Sequence, residues 1–287
     1  MERIETDSRG VEVLDLIVDP AGESVRQDTA MRRCELADDA WASRLVASLP
    51  TQGGVLEKAP INHLLIGVHR EIDRLSQAAR HGPRVRRALF PMIEMLRESG
   101  HPPPYRIVDQ GCGTGFIIRW LAAHDLPEAV ELVGVDLNPV LVAEARRLAH
   151  AAGLDCRFEV GDALRPDHEA TVIMSTALLH HLTPEELVAY FAAQEDGAAV
   201  GCLHLDLRPG LMTVVGIALV HRLLMRLPVS RHDGIRSAQR AHGASALVEA
   251  ARAGAPAFSV STGGFGPADP LAPMLTMLTA LRTRARA

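Results

Sequence analysis

The sequence has almost no lysine. Lys58 stands alone among 30 basic residues, which leaves 29 arginines, and aromatic residues make up only 3% of the 287 residues. Proteins that bind nucleic acid combine a basic surface with aromatic side chains on which bases stack. Here the arginines are interleaved with acidic residues, and the formal net charge is −5. We therefore expect no nucleic-acid partner.

Cysteine and long apolar runs are also scarce. The four cysteines contain no CxxC pair, and their spacing fits neither a zinc site nor a disulfide framework. We therefore expect no metal and a reducing, cytoplasmic location. The charged N-terminus lacks the apolar stretch of a signal peptide. The longest apolar run, Leu211 to Val220, is shorter than the ~20 residues that span a bilayer. It predicts a buried helix and no stable membrane insertion, while contact with a membrane surface stays open.

The first hundred residues have a helical pattern. Apolar residues recur at spacings of three and four from Leu64 to Leu75 and from Val85 to Leu96, which predicts two amphipathic helices. Gly82-Pro83 separates them, and the prolines at 102–104 form a stiff stop. We therefore expect residues 1–104 to form an N-terminal helical lid and residues 105–287 to form the core.

Strands and helices alternate after that stop. The predicted strands are residues 106–109, 132–136, 158–160, 171–174, 200–205 and 257–261, and the predicted helices are 116–124, 139–152, 184–193 and 246–253. Asn138 and Thr183 are the expected helix N-caps. Repeated βα units predict an α/β fold, with a mostly parallel sheet covered by helices on both faces. Residues 274–281 fit either a strand or a helix.

A glycine-rich turn and two acids follow three successive strands. The turn Asp109–Gly115 lets the backbone bend sharply and approach a ligand closely. Asp136, 25 residues after Gly111, can accept both hydroxyls of a ribose, and Asp162 can accept a hydrogen bond from an adenine amino group. Each acid alone could be a helix cap. Together, at adjacent strand ends, they predict a site for an adenosine-containing ligand.

This arrangement resembles the class I S-adenosylmethionine-dependent methyltransferases. The first motif of that family is an acid followed by three glycines at alternate positions, as in Asp109, Gly111, Gly113 and Gly115. The resemblance implies a Rossmann-like, seven-stranded, mostly parallel sheet and S-adenosyl-L-methionine as the cofactor. It also implies the cofactor-binding residues, which are Asp109, Gly111, Cys112, Gly113, Gly115, Asp136, Leu137, Asp162, Ala163 and Ser175.

Three histidines near the ends of the fourth and fifth strands are candidates for catalysis. Ser175–Leu182 is similar to the Leu-His-His-Leu segment of many small-molecule methyltransferases. Histidine suits proton removal because its ordinary pKa lies near neutrality. On a helix, His180 and His181 would point about 100° apart, so only one can face a pocket, and we favour His180. His204 alternates with Asp206 on one face of the fifth strand, where the two could pair.

The connection 207–245 is long enough to form a substrate-side insertion. Gly234 predicts a turn that gathers His232, Asp233 and Arg236 as acceptor contacts, and the alternative is a surface loop in which Asp233 pairs with Arg236. The segment Arg231–Ser237 resembles one in bacterial methyltransferases of polyketide or phenolic metabolism. The resemblance implies a small-molecule acceptor with a reactive hydroxyl, while methylation of carbon or nitrogen and the oligomeric state stay open.

Two other functions compete with methyl transfer. A nicotinamide-dependent dehydrogenase would carry G-x-G-x-x-G, but Phe116 occupies the position of the third glycine. A cyclase or binding protein with this fold could retain every cofactor residue without transferring a methyl group. Enzymes that methylate amines of nucleic-acid bases have an Asn/Asp-Pro-Pro-aromatic turn after the fourth strand, where this chain has Ser175-Thr176-Ala177-Leu178.

Overall fold

A computed structural model describes residues 11–166, 169–197, 199–263 and 269–282. Its helices are α1 (Val13–Ile17), α2 (Gln27–Leu36), α3 (Ala40–Ala47), α4 (Lys58–Ala78), α5 (His81–Glu98), α6 (Phe116–Ala122), α7 (Pro139–Ala151), α8 (Pro184–Asp196), α9 (Leu211–Leu224), α10 (Pro228–Arg240) and α11 (Ala244–Gly254). Its strands are β1 (Thr51–Gln52), β2 (Val55–Leu56), β3 (Tyr105–Gln110), β4 (Val130–Asp136), β5 (Arg157–Val160), β6 (Val172–Thr176), β7 (Gly201–Leu207), β8 (Phe258–Thr262) and β9 (Leu275–Arg282).

Seven strands form one sheet in the order β5-β4-β3-β6-β7-β9-β8. Strands β3 to β7 run parallel, and β9 lies antiparallel between β7 and β8. The predicted seven-stranded, mostly parallel sheet is confirmed, and the ambiguous tail is a strand. The chain leaves β3 toward β4 on one side and returns to β6 on the other. In such sheets this switch point forms a crevice at the carboxyl ends of the strands.

Helices cover both faces of the sheet. One apolar layer includes Leu89 and Ile93 of α5, and the other includes Tyr190 and Phe191 of α8. By packing, α5 therefore belongs with the sheet, although it precedes the proline-rich stop. A third apolar cluster joins α1–α4 to Val229 of α10. The N-terminal helices thus share a core with the insertion that follows β7.

Local signals set most helix boundaries. The side chain of Asn138 accepts a hydrogen bond from the Val140 amide at 2.9 Å, and Thr183 forms a capping box with Glu186, so both predicted caps are confirmed. The expected break at Gly82-Pro83 is wrong. The chain breaks between α4 and α5 instead, because a proline in the first turn of a helix loses no hydrogen bond.

The insertion differs from its prediction in two ways. Gly234 lies inside α10 rather than in a turn, and its missing side chain makes room for the His221 ring of α9, which a Cβ would approach to 1.9 Å. The apolar run 211–220 is helical as predicted but only partly buried. Leu211 is 78% exposed and Leu219 is 58% exposed, because α9 packs through its other side. None of the helices in the described ranges combines the length and apolar content needed to cross a membrane.

Candidate active site at the carboxyl ends of the parallel strands

The glycine loop between β3 and α6 depends on left-handed backbone. Gly111, Gly113 and Gly115 have φ angles of +69°, +56° and +76°, which residues with a side chain rarely adopt. At Gly115 space is also limiting, because a Cβ there would lie 2.2 Å from the Phe158 ring of β5. The third glycine is therefore required for packing, and the loop is held tightly against the sheet.

Asp136, at the end of β4, fixes this loop. Its Oδ2 accepts a hydrogen bond from the Gly113 amide at 2.8 Å, and its Oδ1 accepts one from the Asn138 amide at 2.9 Å. A carboxylate has about four acceptor positions, so two remain for other donors. Asp136 can thus hold the loop and still accept two ribose hydroxyls.

Other residues predicted to bind cofactor lie around the same turn. Asp109 is buried, and its Oδ1 accepts no hydrogen bond within the described residues. Burial and the nearby Asp136 raise the pKa of Asp109 well above its ordinary value. The Cys112 thiol points toward Gly134 of β4, and burial raises its pKa, so only the Cys112 backbone belongs to the turn. Oδ1 of Asp162 accepts the Leu164 amide at 2.9 Å and so shapes its own turn. Leu137 is 42% exposed beside Asp136, and Ala163 is half-buried after Asp162.

Helix α4 and the segment after β6 cover the loop. The His69 ring lies against Gly113, and the Leu178 side chain lies against Gly111. Asp73 accepts hydrogen bonds from the Thr114 hydroxyl at 2.9 Å and from Arg119 at 2.8 Å. A ligand against this loop would require the His69 and Leu178 side chains to turn away.

A groove of about 390 Å³ lies next to the covered loop, between α4 and α7. It begins at Pro139 and Val140, directly after the Asp136 turn. The sequence analysis did not identify His69 and Asp73. Their only signal was a spacing of four residues, which places them on one face of α4.

His180 and Asp206 form a buried pair where β6 and β7 end. Nδ1 of His180 lies 2.7 Å from Oδ1 of Asp206, and both groups are almost fully buried. Burial alone would raise the pKa of Asp206, but His180 and the amides of Leu207 and Leu179 outweigh burial and lower it. Because Nδ1 faces the carboxylate, Nε2 is the ring nitrogen of His180 that remains for another partner. The predicted pairing of Asp206 with His204 is wrong.

His204 lies in the apolar layer beneath the sheet. The Ser175 hydroxyl is 2.8 Å from its Nδ1, the Gln194 side-chain oxygen is 3.3 Å from its Nε2, and the rings of Tyr190 and Phe191 flank it. Burial lowers the pKa of His204 to about 3, so the ring is neutral. These contacts assign His204 to the core rather than to proton transfer, and they turn the Ser175 side chain away from the crevice.

His181 joins an ionic network with the N-terminal region. Burial lowers its pKa, but Glu12 and Asp15 outweigh that effect and raise the pKa to about 9. Arg240 of α10 donates to Asp15 at 2.8 Å and lies 3.6 Å from Glu12. Glu12, His180 and His181 bring possible metal-ligand atoms within 4.8 Å of one another, but the Arg240 cation beside Glu12 disfavours a metal ion there.

The three predicted acceptor contacts on α10 bind the N-terminal helices. Asp233 accepts the Val13 amide at 2.8 Å, and His232 lies between Asp233 and Asp39 at 2.7 and 2.8 Å. Arg236 also binds Asp39, at 2.6 Å, so the alternative Asp233–Arg236 pair is wrong. Arg240 of α10 donates a hydrogen bond to the His180 carbonyl oxygen. The insertion therefore lies on the same side of the sheet as the crevice.

Comparisons with known proteins agree with this geometry. Residues 107–195 match the sequence model of the family described as a methyltransferase domain. A carboxy-S-adenosyl-L-methionine synthase of Chromohalobacter salexigens is 34% identical over 101 residues, which are 33% of this chain and 37% of that protein. A demethylmenaquinone methyltransferase of Thermus thermophilus is 43% identical over 61 residues, 21% of this chain and 27% of that protein. The matches therefore span between about a quarter and just over a third of these relatives.

Solved structures show the same fold. The plantazolicin methyltransferase BpumL, solved in complex with SAH, aligns with a TM-score of 0.56 at 11% identity, over 75% of this chain and 90% of that one. BamL, another plantazolicin methyltransferase, aligns with a TM-score of 0.54 at 12% identity over the same shares. The predicted resemblance to methyltransferases is confirmed over residues 107–195, which match the methyltransferase-domain model, and the solved structures show that the fold is shared.

Proposed function

We propose that this chain transfers a methyl group from S-adenosylmethionine to a small organic acceptor, and that the acceptor atom is a hydroxyl oxygen of a phenolic or polyketide-like molecule. One observation carries the proposal. The oriented His180–Asp206 pair lies at the strand ends beside the glycine loop, connected to it through Leu178, which packs on Gly111. This arrangement combines a nucleotide-binding turn with a proton acceptor.

The residues present fit the cofactor. Once the His69 and Leu178 side chains turn away, the left-handed glycines 111 and 113 would present backbone to a ligand, and Asp136 retains acceptor positions for the ribose hydroxyls. Asp162 is half-buried beyond β5, where it can accept a hydrogen bond from an adenine amino group. When bound, S-adenosylmethionine supplies a methyl group that its sulfonium has already activated.

His180 has the geometry of a general base. Asp206 fixes the tautomer and the orientation of the ring, so Nε2 can take the hydroxyl proton of the acceptor as the oxygen attacks. The same carboxylate accepts the Leu179 amide at 2.7 Å, which fixes the backbone that carries His180. The protein also contributes by alignment, since placing two reactants at near contact is worth about 7–11 kcal/mol.

The elements around His180 form a cover for the acceptor. We assign helices α1–α4 and the insertion 207–245 to a lid, without α5, which packs on the sheet, and we assign His232, Asp233 and Arg236 to positioning that lid through Asp39 and α1. A closed lid would exclude water from the transfer. The net charge of −5 favours a small acceptor over nucleic acid, and a cytoplasmic location fits the supply of the cofactor.

The direct test uses S-adenosylmethionine with a labelled methyl group and a panel of phenols, carboxylic acids, amines and activated carbon acids. We expect label in a phenolic product with the wild-type chain and strongly reduced transfer with His180→Ala. Label appearing only in amines or carbon acids would refute the hydroxyl acceptor. Mass spectrometry of the recovered nucleoside gives a second result, because a chemically altered cofactor without a labelled acceptor would refute methyl transfer.

A further inference from the structure

One side of α9 is apolar and exposed to solvent. Leu211, Val215, Leu219 and Leu223 recur every four residues, which places them in one stripe along the helix. The exposed apolar side chains on α9, with their exposed fractions, are Leu211 (78%), Met212 (68%), Val215 (57%), Leu219 (58%), Leu223 (73%) and Leu224 (54%). Scattered single residues of this kind are ordinary, but a continuous stripe indicates an interaction surface.

The opposite side of α9 is committed to the fold. Thr213, Ile217 and His221 are buried, and the His221 ring packs where Gly234 of α10 has no side chain. His221 Nδ1 also lies 2.8 Å from the Ser230 carbonyl oxygen. The helix is therefore held in place by α10, and its apolar stripe cannot turn inward without breaking that packing.

The charges in the segment that carries the stripe have one sign. Residues 207–232 contain no aspartate or glutamate but contain four arginines, in a chain whose net charge is −5. All four are exposed, at positions Arg208, Arg222, Arg226 and Arg231. An apolar stripe flanked by arginine complements a surface that is anionic at its boundary and apolar beneath.

We propose that α9 docks in the plane of an anionic lipid bilayer, with its leucine stripe among the upper acyl chains and its arginines at the lipid phosphates. The helix has 14 residues. At 1.5 Å per residue it is about 21 Å long, which suits a helix lying in the interface and is too short to cross it. The proposal does not depend on the methyl-transfer reaction.

A second copy of the chain fits the stripe less well. A stable interface buries about 800 Å² on each partner, whereas a stripe about 21 Å long and about 10 Å wide offers roughly 200 Å². Two-fold pairing through α9 would also bring the arginines of both copies together. An acidic lipid surface removes that repulsion.

Docking through α9 would place the candidate active site near the membrane. The helix begins after a short loop from Asp206, and α10, on which it packs, reaches His180 through Arg240. An acceptor dissolved in the bilayer would therefore have only a short distance to travel to the crevice.

The test measures co-sedimentation with vesicles of phosphatidylcholine alone and of phosphatidylcholine mixed with phosphatidylglycerol. We expect the wild-type chain to bind the mixed vesicles, and the double variant Leu219→Gln, Leu223→Gln to bind them at least about tenfold more weakly, since two exposed leucines no longer partition. Arg222→Gln should weaken binding about fivefold on mixed vesicles only. The matched control is Leu36→Gln with Met95→Gln, which removes two exposed apolar side chains, 54% and 47% exposed, on other helices.

Three results would overturn the proposal. The first is a wild-type chain that does not bind the mixed vesicles. The second is an equal loss of vesicle binding in the stripe variant and in the control variant. The third is a wild-type chain that does not bind vesicles but forms a dimer in light scattering, which the stripe variant abolishes. Circular dichroism checks the fold of each variant. If the stripe variant does not fold, Leu219→Trp keeps an apolar side chain, and its fluorescence should be quenched by brominated acyl chains more than that of the wild-type chain. Quenching equal to that of the wild-type chain would reject docking through α9.

Discussion

The glycine-loop side and the lid side of the candidate site are built from contacts of very different range. On the first side, Asp136 binds the Gly113 amide 23 residues away in the chain. On the second side, Asp233 binds the Val13 amide 220 residues away, and His232 binds Asp39 across 193 residues. The difference teaches that the glycine-loop side is a motif of residues close in the chain, whereas the α10 side exists only after distant segments meet.

The largest expected effect separates chemistry from cofactor binding. His180→Ala should lower turnover by about 10²–10⁴-fold, because the proton acceptor is lost, while affinity for S-adenosylmethionine changes little. Steady-state kinetics measure the turnover, and calorimetry measures the affinity for S-adenosylmethionine. His204→Gln is the control in the core and should act through stability. A His180→Ala enzyme with wild-type turnover would show that alignment alone suffices.

A smaller effect is expected on the cofactor side. Asp136→Ala should weaken the binding of S-adenosylmethionine by about 1.5–3 kcal/mol, since charge-assisted hydrogen bonds to the ribose and to the loop are lost. Titration calorimetry measures the change. Glu131→Ala, on the same strand but partly exposed, is the control and should leave affinity intact. Equal affinities for wild-type and Asp136→Ala chains would contradict the assignment of Asp136.

The packing of the lid can be tested at two glycines. Gly234→Ala places a methyl group 1.9 Å from the His221 ring and should cost about 1–3 kcal/mol of unfolding free energy by overpacking. Gly216→Ala is a matched change within α9, because its Cβ would meet only the flexible end of Met274. It should be close to neutral. Denaturant unfolding compares the two, and equal stabilities would argue against a rigid α9–α10 pair.

The smallest effect concerns pH. Glu12 and Asp15 raise the pKa of His181 to about 9, from about 6.5 in the unfolded chain. Between these two pKa values, His181 is therefore protonated in the folded state and mostly deprotonated in the unfolded state. This contribution to stability is complete below pH 6.5 and is lost as the pH rises through 9. His181→Asn should flatten the fall of melting temperature over that interval, and an unchanged pH profile would remove His181 from the network with Arg240.

The parts of the molecule that follow from neighbouring residues could be predicted from the sequence. Alternation of apolar segments gave the sheet, and the caps at Asn138 and Thr183 gave two helix starts. The glycine loop was recognisable because the left-handed backbone at Gly113 and the packing at Gly115 allow few other residues. These features depend on contacts within a βα unit or between units that are close in the chain.

The remaining features depend on tertiary packing. Strand alternation placed His204 and Asp206 on one face but could not show that Asp206 reaches His180 at the strand end. A glycine inside a helix and a glycine in a turn look alike in sequence, so Gly234 was misplaced. The apolar composition of α9 predicts a buried helix, but one side of α9 is exposed. Composition cannot separate the two cases, because a helix with an exposed apolar side can contain the same residues as a buried helix.

The long-range contacts of α10 also determine the order in which the protein can be completed during synthesis. Helices α1 and α3 leave the ribosome before α10, and the side chains of α10 that hold them, Asp233 and His232, are made only after β7. The N-terminal helices can pack on one another early, but their contacts with α10 must wait until the five parallel strands β3 to β7 have emerged. Helices made before the sheet thus complete their packing only after the sheet has been made.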